Sequence, residues 1–287
     1  MNDSAVTVSL PAIAILGSGA MGSAILSGLV QRGVETAGIR VTNRTRAKAA
    51  RLAELEGVTS LALEDDPDAN LRAVDGARVV LVAVKPAMVP DLLREIGGAV
   101  EPGAVVVSVA AGVTSATFES ILPASVPVVR AMPNTPATVR LGVTGIAAGG
   151  RASADDLSLV RSIFETVGEV VEIAEDQIDA ISTISGSGPA YVFYLIEELT
   201  RTAIDKGFPP EQAAMLVQST FRGASELLAS SGASPEELRR QVTSPKGTTE
   251  RAIAVLQAAG LKELFDRATD AALARSREIA AAQRGAV

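Results

Sequence analysis

The chain has 287 residues, 47% of them apolar and only 3% aromatic, so it can bury a sizeable core built mainly from Ala, Val, Leu and Ile. It has no Cys and no His, which excludes disulfides, thiolate or imidazole metal sites, a thiol nucleophile and a Ser-His-Asp triad. With 26 Lys and Arg against 33 Asp and Glu, the formal charge of −7 lacks the basic footprint of a nucleic-acid binder.

In chain order, Met1-Asn2-Asp3-Ser4 places an acid where a signal peptide needs bases. Short β-branched runs at 12–16, 39–42, 78–84, 104–109 and 126–131 scarcely alternate, which predicts strands buried on both faces. Apolar residues at helical spacing lie between them, at 20–31, 46–55, 88–96 and 114–121. Strand–helix–strand order at this pitch implies right-handed crossovers and a doubly wound parallel sheet of Rossmann type. The segments 143–148, 154–166 and 170–173 read as its closing pieces, and the acidic stretch 64–68 as a solvated loop. The longest apolar runs, 79–84 and 104–113, fall short of the roughly 20 residues a membrane-spanning helix needs. A cytoplasmic protein without metal, membrane or nucleic-acid partners is therefore expected.

From about Asp176 long helical patterns take over, at 190–206, 210–229, 235–241, 249–258 and 261–282. Gly207, the Ser230-Ser231-Gly232 cluster and Gly260 punctuate them as C-terminal caps, and Pro209 and Pro235 open the next turns. The expected fold class is α/β: a Rossmann-type dinucleotide-binding domain over 1–175 and an all-helical domain over 176–287.

Gly17-Ser18-Gly19-Ala20-Met21-Gly22 matches G-x-G-x-x-G. Among 25 Gly the pattern alone is weak, but here a strand precedes it and a helix follows. Gly17 permits the tight turn, Gly19 the close approach of a pyrophosphate, and Gly22 the packing of helix on strand. At the end of the second strand an NAD-specific site carries Asp or Glu; here the residues are Asn43-Arg44-Thr45-Arg46. A carboxylate would repel a 2′-phosphate, whereas a guanidinium and small polar donors hold it. NADPH is favoured, with NADH as the alternative.

Six motifs in order extend the reading. They are Gly17–Gly22, Ala83-Val84-Lys85-Pro86, Ser108-Val109-Ala110-Ala111-Gly112-Val113, Met132-Pro133-Asn134-Thr135-Pro136, Ser185-Gly186-Ser187-Gly188-Pro189-Ala190-Tyr191 and Val242-Thr243-Ser244-Pro245-Lys246-Gly247-Thr248-Thr249. In these the chain resembles pyrroline-5-carboxylate reductase, which reduces a cyclic imino acid to proline, over nearly its whole length. The resemblance implies that the helical domain forms an interlocked homodimer, often assembled into a decamer as a pentamer of dimers. It implies cofactor contacts along the glycine loop and at Asn43, Arg44, Thr45, Asn70, Val84, Lys85, Pro86, Ala111 and Asn134. It implies a substrate carboxylate held by Ser244 and the amides of Gly247, Thr248 and Thr249, with Ser187 nearby. One departure is Lys246, where the family usually has Gly: a positive φ there would strain the loop.

The residues bear on this independently. Residues 244–249 lead into a helix, whose free amides and dipole suit a carboxylate without a fixed positive side chain; helix capping by Thr248 or Thr249 is the plain alternative. A pyrroline nitrogen is basic enough to arrive protonated, so imine reduction needs a hydride donor and orientation rather than a strong acid. Thr249 is expected to hydrogen-bond the ring nitrogen and to relay or orient the proton. Two rivals are a hydroxyacid dehydrogenase and a dinucleotide-binding module without turnover. The first wants a Lys on the helix entering the second domain, where this chain has none before Lys206; the second has no use for a carboxylate cradle.

Overall fold

The computed structural model describes residues 8–284. The chain divides into two compact units, one running up to Ser187 and including the stretch from Ala272 onward, the other Gly188–Ala271. The first unit begins with β1 (Val8–Leu10), β2 (Ile13–Leu16), α1 (Ala20–Leu29), β3 (Val34–Thr36), β4 (Ile39–Asn43), α2 (Arg46–Leu52), β5 (Val58–Ala62) and α3 (Ala69–Val74). It continues with β6 (Val79–Val82), α4 (Val89–Ile96), β7 (Val105–Ser108), α5 (Ser115–Ile121), β8 (Val128–Met132), β9 (Gly142–Ala148), α6 (Ala154–Glu165), β10 (Gly168–Glu172) and the single turn α7 (Ile178–Ile181).

The main sheet has the order β10-β9-β8-β7-β6-β2-β4-β5, and β1 and β3 form a small parallel pair of their own. Successive residues of the central strands point to opposite faces, and both faces are covered, which is why the runs do not alternate. Ile13, Ile15, Val41, Leu81 and Val107 pack under α1 and α6; Ala14, Leu16, Val80, Val82 and Val106 pack under α3, α4 and α5. The parallel sheet expected from the sequence needs one correction. β8 and β9 are antiparallel, and β10 follows β9, so these two edge strands run against the rest. The connection 133–141, one 3₁₀ segment at Thr135–Val139, is shorter than the dozen or so residues a parallel crossover needs.

Arg130 on β8 is 4% exposed. Its guanidinium lies 3.3 Å from Asp179 and 3.7 Å from Glu175, and Glu175 in turn accepts from the Ser115 amide (2.6 Å) and hydroxyl at the start of α5. One cation thus ties the sheet to the segment entering α7. Replacing it by Met leaves two carboxylates without a counter-charge. Since both are about a quarter exposed, the loss should sit at the lower end of the roughly 3–5 kcal/mol for breaking a buried pair. Urea denaturation of Arg130→Met reads this; an unshifted midpoint would show the network contributes nothing.

The second unit holds α8 (Gly188–Asp205), α9 (Pro210–Ser231), α10 (Pro235–Gln241), α11 (Thr248–Ala258) and the first part of α12 (Leu261–Arg284). Gly207, Gly232 and Gly260 end three of the helical stretches at φ of +95°, +65° and +63°, and Ser234 caps α10 by accepting from the Glu237 amide at 3.2 Å. Among the described residues of these helices only Ala213 and Val217 are buried, while Phe193, Tyr194 and Val255 are 65%, 61% and 71% exposed. No described helix is long and apolar enough to cross a membrane.

Candidate active site

In the first unit the strand order reverses between β2 and β6, and the carboxyl ends of β2, β4 and β6 open into a cavity of about 410 Å³. Such a switch point is where an open parallel sheet receives its ligand. Gly17, Asn43, Arg44, Asn70 and Val84, all expected to touch a cofactor, line it together. Gly17 turns the chain at φ +94°, and a Cβ on Gly22 would stand 2.3 Å from the Gly17 carbonyl oxygen, so α1 can start this close to β2 only without a side chain there. Gly19, the N-cap of α1, has no atom within 4 Å of where its Cβ would stand: that side of the loop is open, as a pyrophosphate requires. Ala20 and Met21 form the first turn of α1.

The loop is held from the second strand. The Ser18 hydroxyl donates to Asn43 Oδ1, Asn43 Nδ2 donates to Ser60 Oγ at 3.0 Å, and the Ser18 carbonyl accepts from Lys48 Nζ and from Ser23 Oγ at 3.0 Å. Beyond β4 the charges sort themselves. Arg46 is taken by Asp65 (Nε to Oδ1 2.7 Å), whose hydrogen bond raises the guanidinium pKa while its own carboxyl is lowered, and Glu64 accepts from the Arg46 amide at 2.9 Å. Arg44 is exposed, and its side chain has no ion pair or hydrogen bond among the described residues. It is the cation left available at the ribose end. Lys85 and Pro86 follow β6, Lys85 exposed, and Ala111 is exposed after β7. These residues fit an NADP-type dinucleotide: an open glycine loop, no acid among Asn43–Arg46 and one unpaired guanidinium.

Two of the expected site residues already have partners within the fold. Asn134 is 7% exposed, and both ends of its amide are committed, Nδ2 to the Ser185 carbonyl (2.9 Å) and Oδ1 to the Val143 amide (2.8 Å). Its side chain braces the start of β9 against the π-helical turn Ser182–Gly186 and keeps one N–H and one lone pair for a ligand, as Asn43 does. In the second unit the Gly247 amide donates to the Ser244 carbonyl at 3.0 Å, closing the turn, and so cannot hold a substrate carboxylate.

The rest of that loop is open. Gly247 is the N-cap of α11 without a side-chain cap bond, so Thr248 and Thr249 are the first two helical residues and do not cap. Among the described residues neither their hydroxyls nor their amides have a partner outside the helix, as expected of the first turn. Lys246 takes φ +61°, with its amide on Glu250 at 2.9 Å; the backbone does demand the left-handed conformation there, and Lys meets it. Ser187 belongs to the first unit, and its hydroxyl donates to the Ser182 carbonyl at 3.2 Å, leaving its lone pairs as acceptors.

Against known proteins, the chain is 38% identical to the pyrroline-5-carboxylate reductase of Corynebacterium melassecola, over 93% of its own length and 98% of the relative's. It belongs to the pyrroline-5-carboxylate reductase family. The reductase of Pseudomonas aeruginosa, also 38% identical, is matched over 95% of this chain and 98% of that one. The solved pyrroline-5-carboxylate reductase from Coxiella burnetii shares 38% identity and a TM-score of 0.86, covering 93% of this chain and 97% of that one. Residues 175–279 match the family model for pyrroline-5-carboxylate reductase dimerisation, and residues 12–112 the model described as NADP oxidoreductase, coenzyme F420-dependent. A ketol-acid reductoisomerase 16% identical to this chain, at a TM-score of 0.61, shares the fold alone. Sequence reading of the reductase motifs left out Lys48, which grips the glycine loop, and the outer cavity wall of Leu63, Pro67, Met88, Leu92 and Glu95. The helical spacing of 88, 92 and 95 is the signal that could have found the α4 part of that wall.

Proposed function

We propose that the protein reduces 1-pyrroline-5-carboxylate to L-proline with NADPH, the closing step of proline biosynthesis, in the cytoplasm. Family membership over nearly the full length carries this reading, and the unpaired Arg44 in the acid-free stretch Asn43–Arg46 supports NADPH over NADH. The bound dinucleotide would supply a hydride to the imine carbon. The chain's own residues do the rest.

In the glycine loop, the amides at the start of α1 and its positive end take the pyrophosphate; Asn43, Arg44 and Thr45 hold the ribose side. Val84, Lys85, Pro86 and Ala111 wall the dinucleotide at the ends of β6 and β7. The substrate carboxylate is taken by the Ser244 hydroxyl and the free Thr248 and Thr249 amides, where the dipole of an eleven-residue helix favours an anion. The ring nitrogen arrives protonated. The Thr249 hydroxyl accepts its N–H and so fixes the face presented for reduction, while the Ser187 lone pairs offer a second acceptor. The nitrogen keeps that proton while the hydride neutralises its charge, giving the neutral secondary amine, which takes one further proton from water to leave as the secondary ammonium; no imidazole or thiol is needed.

The dimerisation domain begins at about residue 175, where its family model starts, whereas the compact units part at Ser187–Gly188; the helical part joins two copies. The dimerisation-domain match and the exposed apolar side chains of α8 and α11 support a homodimer. Further assembly into a decamer, five dimers around an axis, is the finer proposal, read by the mass in light scattering.

Following NADPH absorbance separates the readings: oxidation with pyrroline-5-carboxylate and none with pyruvate-like keto acids is expected, and the reverse would overturn the assignment. Thr249→Ala removes one hydrogen bond to a charged group, so turnover should fall about ten- to a hundredfold with NADPH affinity unchanged. Unaltered turnover would take Thr249 out of the mechanism.

A further inference from the structure

We infer that Glu95 reads the base of the dinucleotide, accepting a hydrogen bond from the exocyclic amino group of adenine and thereby rejecting purines that carry a carbonyl there. The inference rests on the cofactor reading above and adds a specificity-determining residue to it. It starts from a mismatch of charge. The cavity at the ends of β2, β4 and β6 suits a polyanion, yet Glu95 of α4 lines it with an ionisable carboxylate that no cation pairs among the described residues. The neighbouring carboxylate on the same rim, Asp91, is neutralised by Arg94 at 2.8 Å. Glu95 instead accepts only from Asn70 Nδ2, at 3.1 and 3.3 Å to its two oxygens, and Asn70 is 6% exposed and itself held in the cavity wall.

A carboxylate so placed repels phosphate and has acceptor capacity left after one shared donor, so it must face a part of the ligand that donates. The adenosine half of the dinucleotide has two kinds of donor, the ribose hydroxyls and the amino group of the base. The ribose belongs beside Asn43 and Arg44 at the end of β4. Glu95 lines the same cavity from α4, as do the apolar Leu63, Met88 and Leu92, and Met88 is 52% exposed. A flat base fits against such apolar surfaces, with its polar edge toward the one fixed acceptor between them. The Asn70 amide holds that acceptor in place before the ligand arrives.

The test compares NADPH with its hypoxanthine analogue, in which a carbonyl replaces the amino group, by titration of the full-length protein. Emission of the dinucleotide reports binding, and the chain has no Trp to interfere. The wild type should bind NADPH at least about tenfold more tightly than the analogue, the size of one hydrogen bond to a charged group. In Glu95→Gln the amide can accept from adenine or donate to hypoxanthine, so the ratio should fall to near one. Loss of a negative charge strengthens both dinucleotides alike, so only the ratio reports the base. Glu95→Ala, at an exposed helical position, gives the same collapse should the Gln variant not fold. Equal binding of both dinucleotides by the wild type, or a ratio that survives both substitutions, overturns the role of Glu95. Failure of the wild type to bind NADPH better than NADH would instead overturn the cofactor reading beneath it.

Discussion

Gly22→Ala should all but abolish NADPH binding and also lower stability, whereas Gly19→Ala should weaken binding in a protein that folds as before. The two glycines sit three residues apart in one motif, Gly19 as the N-cap of α1 and Gly22 within its first turn, and differ in what surrounds them. A methyl on Gly22 would come 2.3 Å from the Gly17 carbonyl oxygen, a backbone atom that cannot rotate aside, so α1 must move away from β2. Overpacking of this kind costs about 1–3 kcal/mol or more. Moving the amides that receive the pyrophosphate loses hydrogen bonds to a charged group, each worth about tenfold or more in affinity. A methyl on Gly19 meets no protein atom within 4 Å, and its φ of −60° suits any residue. It intrudes only on a ligand. Melting temperature and NADPH titration of both variants separate these effects; equal melting temperatures for both, or undiminished affinity in Gly19→Ala, would break the account of the loop.

The second large effect concerns the helical unit. Phe193→Asp and Val255→Asp should convert a dimer into a monomer and lower the melting temperature, because Ala213 and Val217 are the only buried residues described in these helices. Fully burying a side chain such as Phe or Val contributes roughly 1.5–3 kcal/mol, and α8 leaves Phe193 and Tyr194 more than half exposed in one protomer. The unit also carries an apolar groove of about 450 Å³ beside the Tyr191–Phe265 ring contact, whose centroids are 6.2 Å apart. Helices so thinly packed need a partner surface. Light scattering should give twice the 29.4 kDa chain mass, or the tenfold mass of five dimers, for the wild type and the single mass for the variants; assemblies of unchanged mass and melting temperature in both would place the interface elsewhere.

Much of this architecture can be read from the residues, and the exceptions have physical causes. The central strands β2, β6 and β7 announce themselves because both faces are buried, leaving almost unbroken apolar runs, while β4 and β8 show as β-branched runs interrupted by Arg40 and Arg130. Strands β1 and β3 have only three residues each with half-exposed patterns, and β5 carries Thr59 and Ser60 at the sheet edge, so none produces a run to notice. The reversed direction of β9 depends on the length of its connection, not on composition. At the site, the glycine loop and the residues ending β4 are local patterns and were legible; that Asn43, Asn70 and Val84 share one cavity with them followed from the topology. The engagement of Asn134 and of the Gly247 amide was not legible, because each depends on a hydrogen-bond partner that composition does not reveal. Glu95 escaped for a similar reason: its meaning lies in lacking a cation, which only the neighbours disclose.

Lys246 carries a wider implication. Left-handed backbone costs a side-chain-bearing residue roughly 1–2 kcal/mol, and this chain accepts that cost beside the turn proposed to receive the acid group. Glycine there would relax the bend and raise thermal tolerance, but it would also delete an ammonium from the approach to an overall acidic molecule. Durability and capture of a negatively charged guest thus pull in opposite directions at a single position, where this chain carries the charge and not the relaxed bend.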